Sequence, residues 1–122
     1  MALSLLVENL AQVRTRIEDA ARRSGRDADE ITLVAVTKYV EIEIARALVE
    51  AGCTDLGESR PQELWRKADQ MSDLAVGWHL IGHLQRNKVK RTLDYAGWIQ
   101  STDSVRLLET LEEQTGGRSL RL

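Results

Sequence analysis

A chain of 122 residues is long enough for one domain around one core. Acidic and basic residues are interspersed with a net charge of −2, which removes the electrostatic case for nucleic acid or an anionic membrane as partner. Cys53 is the only cysteine, so no intrachain disulfide can form, and no apolar run approaches membrane-spanning length.

The N-terminus, Met1-Ala2-Leu3-Ser4, lacks a basic leader region and acidic Glu8 follows soon after, so a cytoplasmic location is expected. Leu3, Leu6, Leu10, Val13, Ile17 and Ala20 or Ala21 recur at helical spacing, with Ser4 a candidate N-cap and Gly25 a candidate stop. Residues 31–36, Ile-Thr-Leu-Val-Ala-Val, predict a buried strand. A helix is expected from Ile42 to Ala51, ended by Gly52. Cys53 to Leu56 reads as a short strand stopping at Gly57, with Cys53 a small core residue. Pro61 suits the first turn of a helix carrying Leu64, Ala68 and Met71. A third strand, Trp78 to Ile81, is stopped by Gly82, and a polar helix spans about Asn87 to Leu93. Trp98-Ile99-Gln100 is a fourth strand, followed by a helix from Ser104 to Gln114 and the stop Gly116-Gly117. Ser119 to Leu122 resembles the opening of a fifth strand.

Strands alternating with helices at this spacing predict βαβ units and a parallel sheet. The short repeat suits a (β/α) barrel of the TIM type, with a doubly wound sheet as the alternative. A closed barrel uses eight such units over about 250 residues. About four units are present, so the expectation is a partial barrel: one domain over 1–122, truncated at its C-terminal side or completed by another copy. Leu33, Ala35, Leu56, Leu80 and Ile99 are expected on the inward face, and the first and last strands as open edges that favour homo-oligomers.

In parallel α/β proteins, functional groups gather where strands end and helices begin. Lys38 closes the first strand. An ammonium there, if desolvated, becomes available as the free amine that a Schiff-base lysine needs; otherwise it merely reaches past the strand mouth to water. The second junction, Gly57 to Glu63, contains Ser59, which can equally cap the following helix, and Glu58 and Arg60, which can be a surface pair. The third holds His79, which also reads as a structural histidine, and the polar loop residues His83, Gln85 and Asn87. The fourth is Ser101-Thr102-Asp103-Ser104, with Asp103 a candidate N-cap. No metal site is expected.

Three of these segments carry a family resemblance: Leu33-Val34-Ala35-Val36-Thr37-Lys38, Gly57-Glu58-Ser59-Arg60-Pro61-Gln62-Glu63, and above all Trp78-His79-Leu80-Ile81-Gly82-His83-Leu84-Gln85-Arg86-Asn87-Lys88. Gln100 to Ser104 adds weaker support. Together they resemble the pyridoxal phosphate homeostasis proteins of the YggS/PROSC type, whose fold is that of the N-terminal barrel of alanine racemase. The likeness spans nearly all of this chain and about the first half of a family member. It implies pyridoxal 5′-phosphate (PLP) held as a Schiff base on Lys38, with Ser59, His79 and Ser101 as cofactor-binding residues. Ser59 stands where the family usually has Asn, which replaces an amide by a hydroxyl. The family's phosphate-binding turns lie beyond the position of Leu122.

The function this implies is binding and buffering of PLP within the cell, without turnover of a substrate. The runner-up is a PLP-dependent amino-acid racemase or related enzyme; a third reading is a non-binding half-barrel with a structural or interaction role. Racemase activity is not expected, because strand alternation would send Tyr39 away from Lys38 and Tyr95 precedes the fourth strand, at the wrong end of the sheet.

Overall fold

The computed structural model describes residues 3–122. An N-terminal helix, α1 (Leu3–Arg23), precedes alternating elements: β1 (Val34–Val36), α2 (Ile42–Glu50), β2 (Asp55–Glu58), α3 (Pro61–Gln70), β3 (Gly77–Leu80), α4 (Val89–Thr92), β4 (Ala96–Ile99) and α5 (Val105–Thr115). The strands form one parallel sheet in the order β1-β2-β3-β4. Arg121 begins a fifth line of pairing beside β4: the Ile99 amide donates to its carbonyl at 2.9 Å, and its own amide donates to the Gly97 carbonyl at 3.1 Å.

The helix ends follow local chemistry, with some departures from the sequence expectations. Ser4 lies inside the first turn of α1, which already includes Leu3. Gly25, at φ 74°, ends that helix, and the next amide, of Arg26, donates back to the Ala21 carbonyl at 2.8 Å. Pro61 opens α3 as expected, but the residue before it is Arg60, in extended conformation, so Ser59 sits one position too early to cap. Ser104, not Asp103, caps α5, its Oγ accepting from the Leu107 amide at 3.1 Å. The expected helix over Asn87–Leu93 is a 3₁₀ turn, Arg86–Lys88, leading into the single turn of α4.

The strand expected over 31–36 is paired only at Val34–Val36. It is an edge strand with a neighbour on one side alone, and Val36 stays 48% exposed. The expected inward face is also corrected. Leu56, Leu80 and Ile99 belong to the cluster that includes Leu10, Leu48, Leu64, Leu107 and Leu111 of the helices, and half-buried Leu33 and Ala35 pack against it. The apolar stripes of the helices bury the bulkiest aliphatic strand positions, so these residues face outward, under the helical layer. The opposite face carries Val34, Asp55, Gly57, His79, Ile81 and Trp98. A Cβ on Gly57 would meet Val34 Cγ1 at 3.2 Å and Ile81 Cγ2 at 3.3 Å, while His79 stacks on Trp98 with ring centres 5.2 Å apart. Cys53 lies in the core as expected, where burial pushes its thiol pKa up.

Candidate functional site

Three residues beyond the end of β1, the chain turns at Tyr39, whose φ is 64°. Lys38 immediately precedes that turn and is exposed. Burial therefore does not supply the desolvation expected for this amine. It lines an open cleft of 730 Å³ with Val40, Ser59, Arg60 and Glu63, at the carboxyl ends of β1 and β2. Tyr39 lines the same cleft and is 88% exposed. The expected separation of Tyr39 from Lys38 does not hold, because the extended pairing that enforces alternation ends at Val36.

The buried lysine of this site is Lys67, which the sequence reading passed over. Its side chain and that of Glu58 are each 2% exposed, and Lys67 Nζ lies 2.6 Å from Glu58 Oε2. The same ammonium donates to the Thr37 carbonyl at 2.6 Å. Thr37, fully buried, closes the triangle through its hydroxyl, which donates to Glu58 Oε2. Glu58 is thus not the surface partner of Arg60. The signal was present in the spacing: Leu64, Lys67, Ala68 and Met71 fall on one helical stripe, which puts an ammonium on the buried face of α3.

Of the other charges lining the cleft, Glu63 and Arg66 are committed to each other, while the carboxylates of Glu41 and Glu43 make no ion pair or side-chain hydrogen bond among the described residues. Arg66 pairs with Glu63 at 2.7 Å, and the hydrogen bond from Arg66 holds the Glu63 carboxyl below its ordinary pKa. Among the described residues, Lys38 and Arg60 are the cleft cations that make no ion pair or side-chain hydrogen bond.

His79 sits one layer below the rim, buried on the helix-free face of the sheet. Its Nε2 lies 2.9 Å from Asp55 Oδ1 and its Nδ1 3.0 Å from Gln100 Nε2. An amide nitrogen only donates, so Nδ1 accepts and Nε2 carries the proton toward Asp55. Both ring nitrogens are occupied within the chain. His79 does not line the cleft of Lys38. Ser101 belongs to the rim, where its hydroxyl donates to the Ile81 carbonyl at 3.0 Å. Beside it, Thr102 Oγ1 is buried with no partner among the described residues. Exposed His83 and Asp103, 3.1 Å apart, link the third and fourth junctions. The second and third junctions nearly touch: a Cβ on Gly82 would lie 2.1 Å from the Ser59 carbonyl oxygen. The structure thus brings Lys38 and Ser59 into one cleft, and places Ser101 at the same end of the sheet and His79 beneath it.

An accessible primary amine with no internal acceptor can condense with an aldehyde, and an unpaired guanidinium beside a hydroxyl can meet an anion. That donor set fits PLP, an aldehyde bearing a phosphate. A parallel α/β domain with an exposed, unpaired amine in a cleft at its strand ends is the class of protein that the fold and the cleft define.

Comparison with known proteins narrows the class. No family model matches the chain. A pyridoxal phosphate homeostasis protein of Pseudomonas aeruginosa is 36% identical over 112 residues, covering 92% of this chain and 49% of that protein. PipY of Synechococcus elongatus PCC7942, solved without PLP, matches with a TM-score of 0.77 at 32% identity, over 90% of this chain and 47% of that one. PipY with PLP bound matches with a TM-score of 0.70 at 34% identity, over 82% of this chain and 48% of that one. The chain is a relative of the pyridoxal phosphate homeostasis proteins, as its motifs indicated, and it spans about half the length of the curated relatives it matches.

Proposed function

We propose that this chain binds pyridoxal 5′-phosphate and takes part in its homeostasis, with Lys38 holding the cofactor as a Schiff base. The observation that carries the reading is the placement of Lys38, an exposed amine without an internal partner in a cleft at the strand ends. The similarity to PLP homeostasis proteins, one of them solved with PLP bound, supports it. Ser59 and Arg60 flank the same cleft and would face the cofactor; Ser101 stands at the rim, and His79 would act by supporting the sheet beneath. PLP supplies the electrophilic aldehyde; the chain supplies the amine and the walls. The four βα units are read as part of an alanine racemase-type barrel whose interior is the face bearing His79 and Trp98.

Borohydride reduction in the presence of PLP, followed by peptide mapping, tests the assignment. The pyridoxyl group is expected on Lys38. A label carried mainly by Lys67, Lys88 or Lys90, or no label at all, sinks it.

A second reading, amino-acid racemase, has one observation in its favour. Tyr39 lines the cleft beside Lys38 and so offers a second acid–base group. Binding without turnover predicts no interconversion of L- and D-alanine by the PLP-loaded protein. Interconversion that disappears in both Lys38→Ala and Tyr39→Phe would establish the racemase instead.

A further inference from the structure

We infer that the buried Glu58–Lys67 pair is a positioning device for Lys38, acting through Thr37. The inference rests on the reading of Lys38 as the capturing amine and assigns that site two residues that never touch the cofactor.

Thr37 is held by every polar group it has. Its amide donates to the Gly57 carbonyl at 3.0 Å, its hydroxyl donates to Glu58, and its carbonyl accepts from Lys67 Nζ at 2.6 Å and from the Val40 amide at 3.1 Å. The last two bonds converge on the oxygen of the peptide that joins Thr37 to Lys38. That peptide is fixed from behind by β2, through Glu58, and by α3, through Lys67. One residue later the chain is exposed, and the Lys38 side chain makes no hydrogen bond or ion pair among the described residues. The peptide before Lys38 is hydrogen-bonded on the protein side, while the amine itself has no internal partner.

Stability gives a poor account of this arrangement. Desolvating two opposite charges costs several kcal/mol per ion, and apolar residues of similar volume often serve a core equally well or better. What an apolar pair cannot do is hold a carbonyl and a hydroxyl. Fixing a reacting group through the packed residues behind it is what makes a bound geometry productive.

The test uses the double substitution Glu58→Met with Lys67→Met, which removes both charges together and leaves neither ion unpaired. The expected result is a cooperatively folded protein whose capture of PLP on Lys38, read from the visible absorbance and the borohydride-trapped peptide, is about tenfold weaker. Amide hydrogen exchange of Val40 is expected to quicken in the same protein without PLP. Thr37→Val, which deletes only the hydroxyl, should move both readouts in the same direction by about threefold, and Thr37→Ser should restore them. If the double variant does not fold, the Thr37 pair of variants decides alone. Unchanged capture and unchanged Val40 exchange overturn the inference and leave the reading of Lys38 standing. Wild-type protein that gives no adduct on Lys38 overturns the reading itself, and a role toward the cofactor falls with it. Faster exchange without weaker capture marks the pair as purely structural and also overturns the inference.

Discussion

Lys38 and Lys67 show what the sequence reveals about single residues. The place of Lys38 at a strand–helix junction was legible because it follows an apolar run. Its exposure was not, since the strand read over residues 31–36 pairs only at Val34–Val36, at the sheet edge. Lys67 was missed because its charge outweighed its place in the Leu64–Ala68–Met71 stripe, and its partner Glu58 lies nine residues away on another element. His79 was legible as buried, while its partners Asp55 and Gln100 come from strands on either side and carry no local signal. Gly82 gives a prediction at this scale. Its backbone torsions suit any residue, so only space demands glycine: a methyl group would collide with the Ser59 carbonyl. Gly82→Ala is expected to lower stability by about 1–3 kcal/mol through forced separation of the two loops. An unchanged urea midpoint would show that the loops part freely.

Among the elements, the order of the strands and of the longer helices was legible, because those helices carry apolar stripes and most of the strands are short apolar runs between turn residues, whereas the 3₁₀ turns at Ala28–Glu30 and Arg86–Lys88 were not. Caps and faces were less so. Ser59 and Asp103 are sound capping residues by type, yet Arg60 and Ser104 occupy the positions, a shift of one residue in each case. The inward and outward faces of the strands were exchanged, because alternation alone does not say which side the helices cover. One contact between elements supplies a pH prediction. Arg46 of α2 grips Asp73, beyond α3, with two hydrogen bonds of 2.9 and 2.6 Å. The hydrogen bond from Arg46 holds the Asp73 carboxyl below its ordinary value. A carboxyl lowered in the folded state adds stability above its unfolded pKa of about 3.9, and the gain is lost as pH falls through the folded value. Arg46→Gln should therefore unfold at lower urea than wild type near neutral pH, with the gap closing below about pH 4. A gap of constant size across that range would assign the loss to packing rather than charge. The pair is exposed, so the effect is expected to be small.

At the scale of the molecule, one face of the sheet is covered by helices and the other is not. β1 has a free edge, and beside β4 only the first pairing of a further strand is in place. Val36 is 48% exposed on the uncovered face. Parallel edges of this kind invite pairing, and two copies joined first strand to last would close eight to ten strands under two-fold symmetry. Sedimentation at micromolar concentration is expected to show the chain associated. A cooperative monomer there would mean that His79, Trp98 and their neighbours protect the sheet unaided. Among the described residues, no helix is long and apolar enough to cross a membrane.

Trp98 makes that face observable. Its ring is stacked on that of His79 with centres 5.2 Å apart, and the Arg121 guanidinium lies over it at 5.0 Å. Trp78 is buried beneath the helices, and Trp65 is engaged with Thr92 and Arg91. The three indoles therefore report on different layers, and Trp98 alone looks toward the uncovered side. Its emission is an optical gauge of whatever settles there: a second sheet would dry the indole and shift its fluorescence to the blue, with the other two tryptophans serving as internal references.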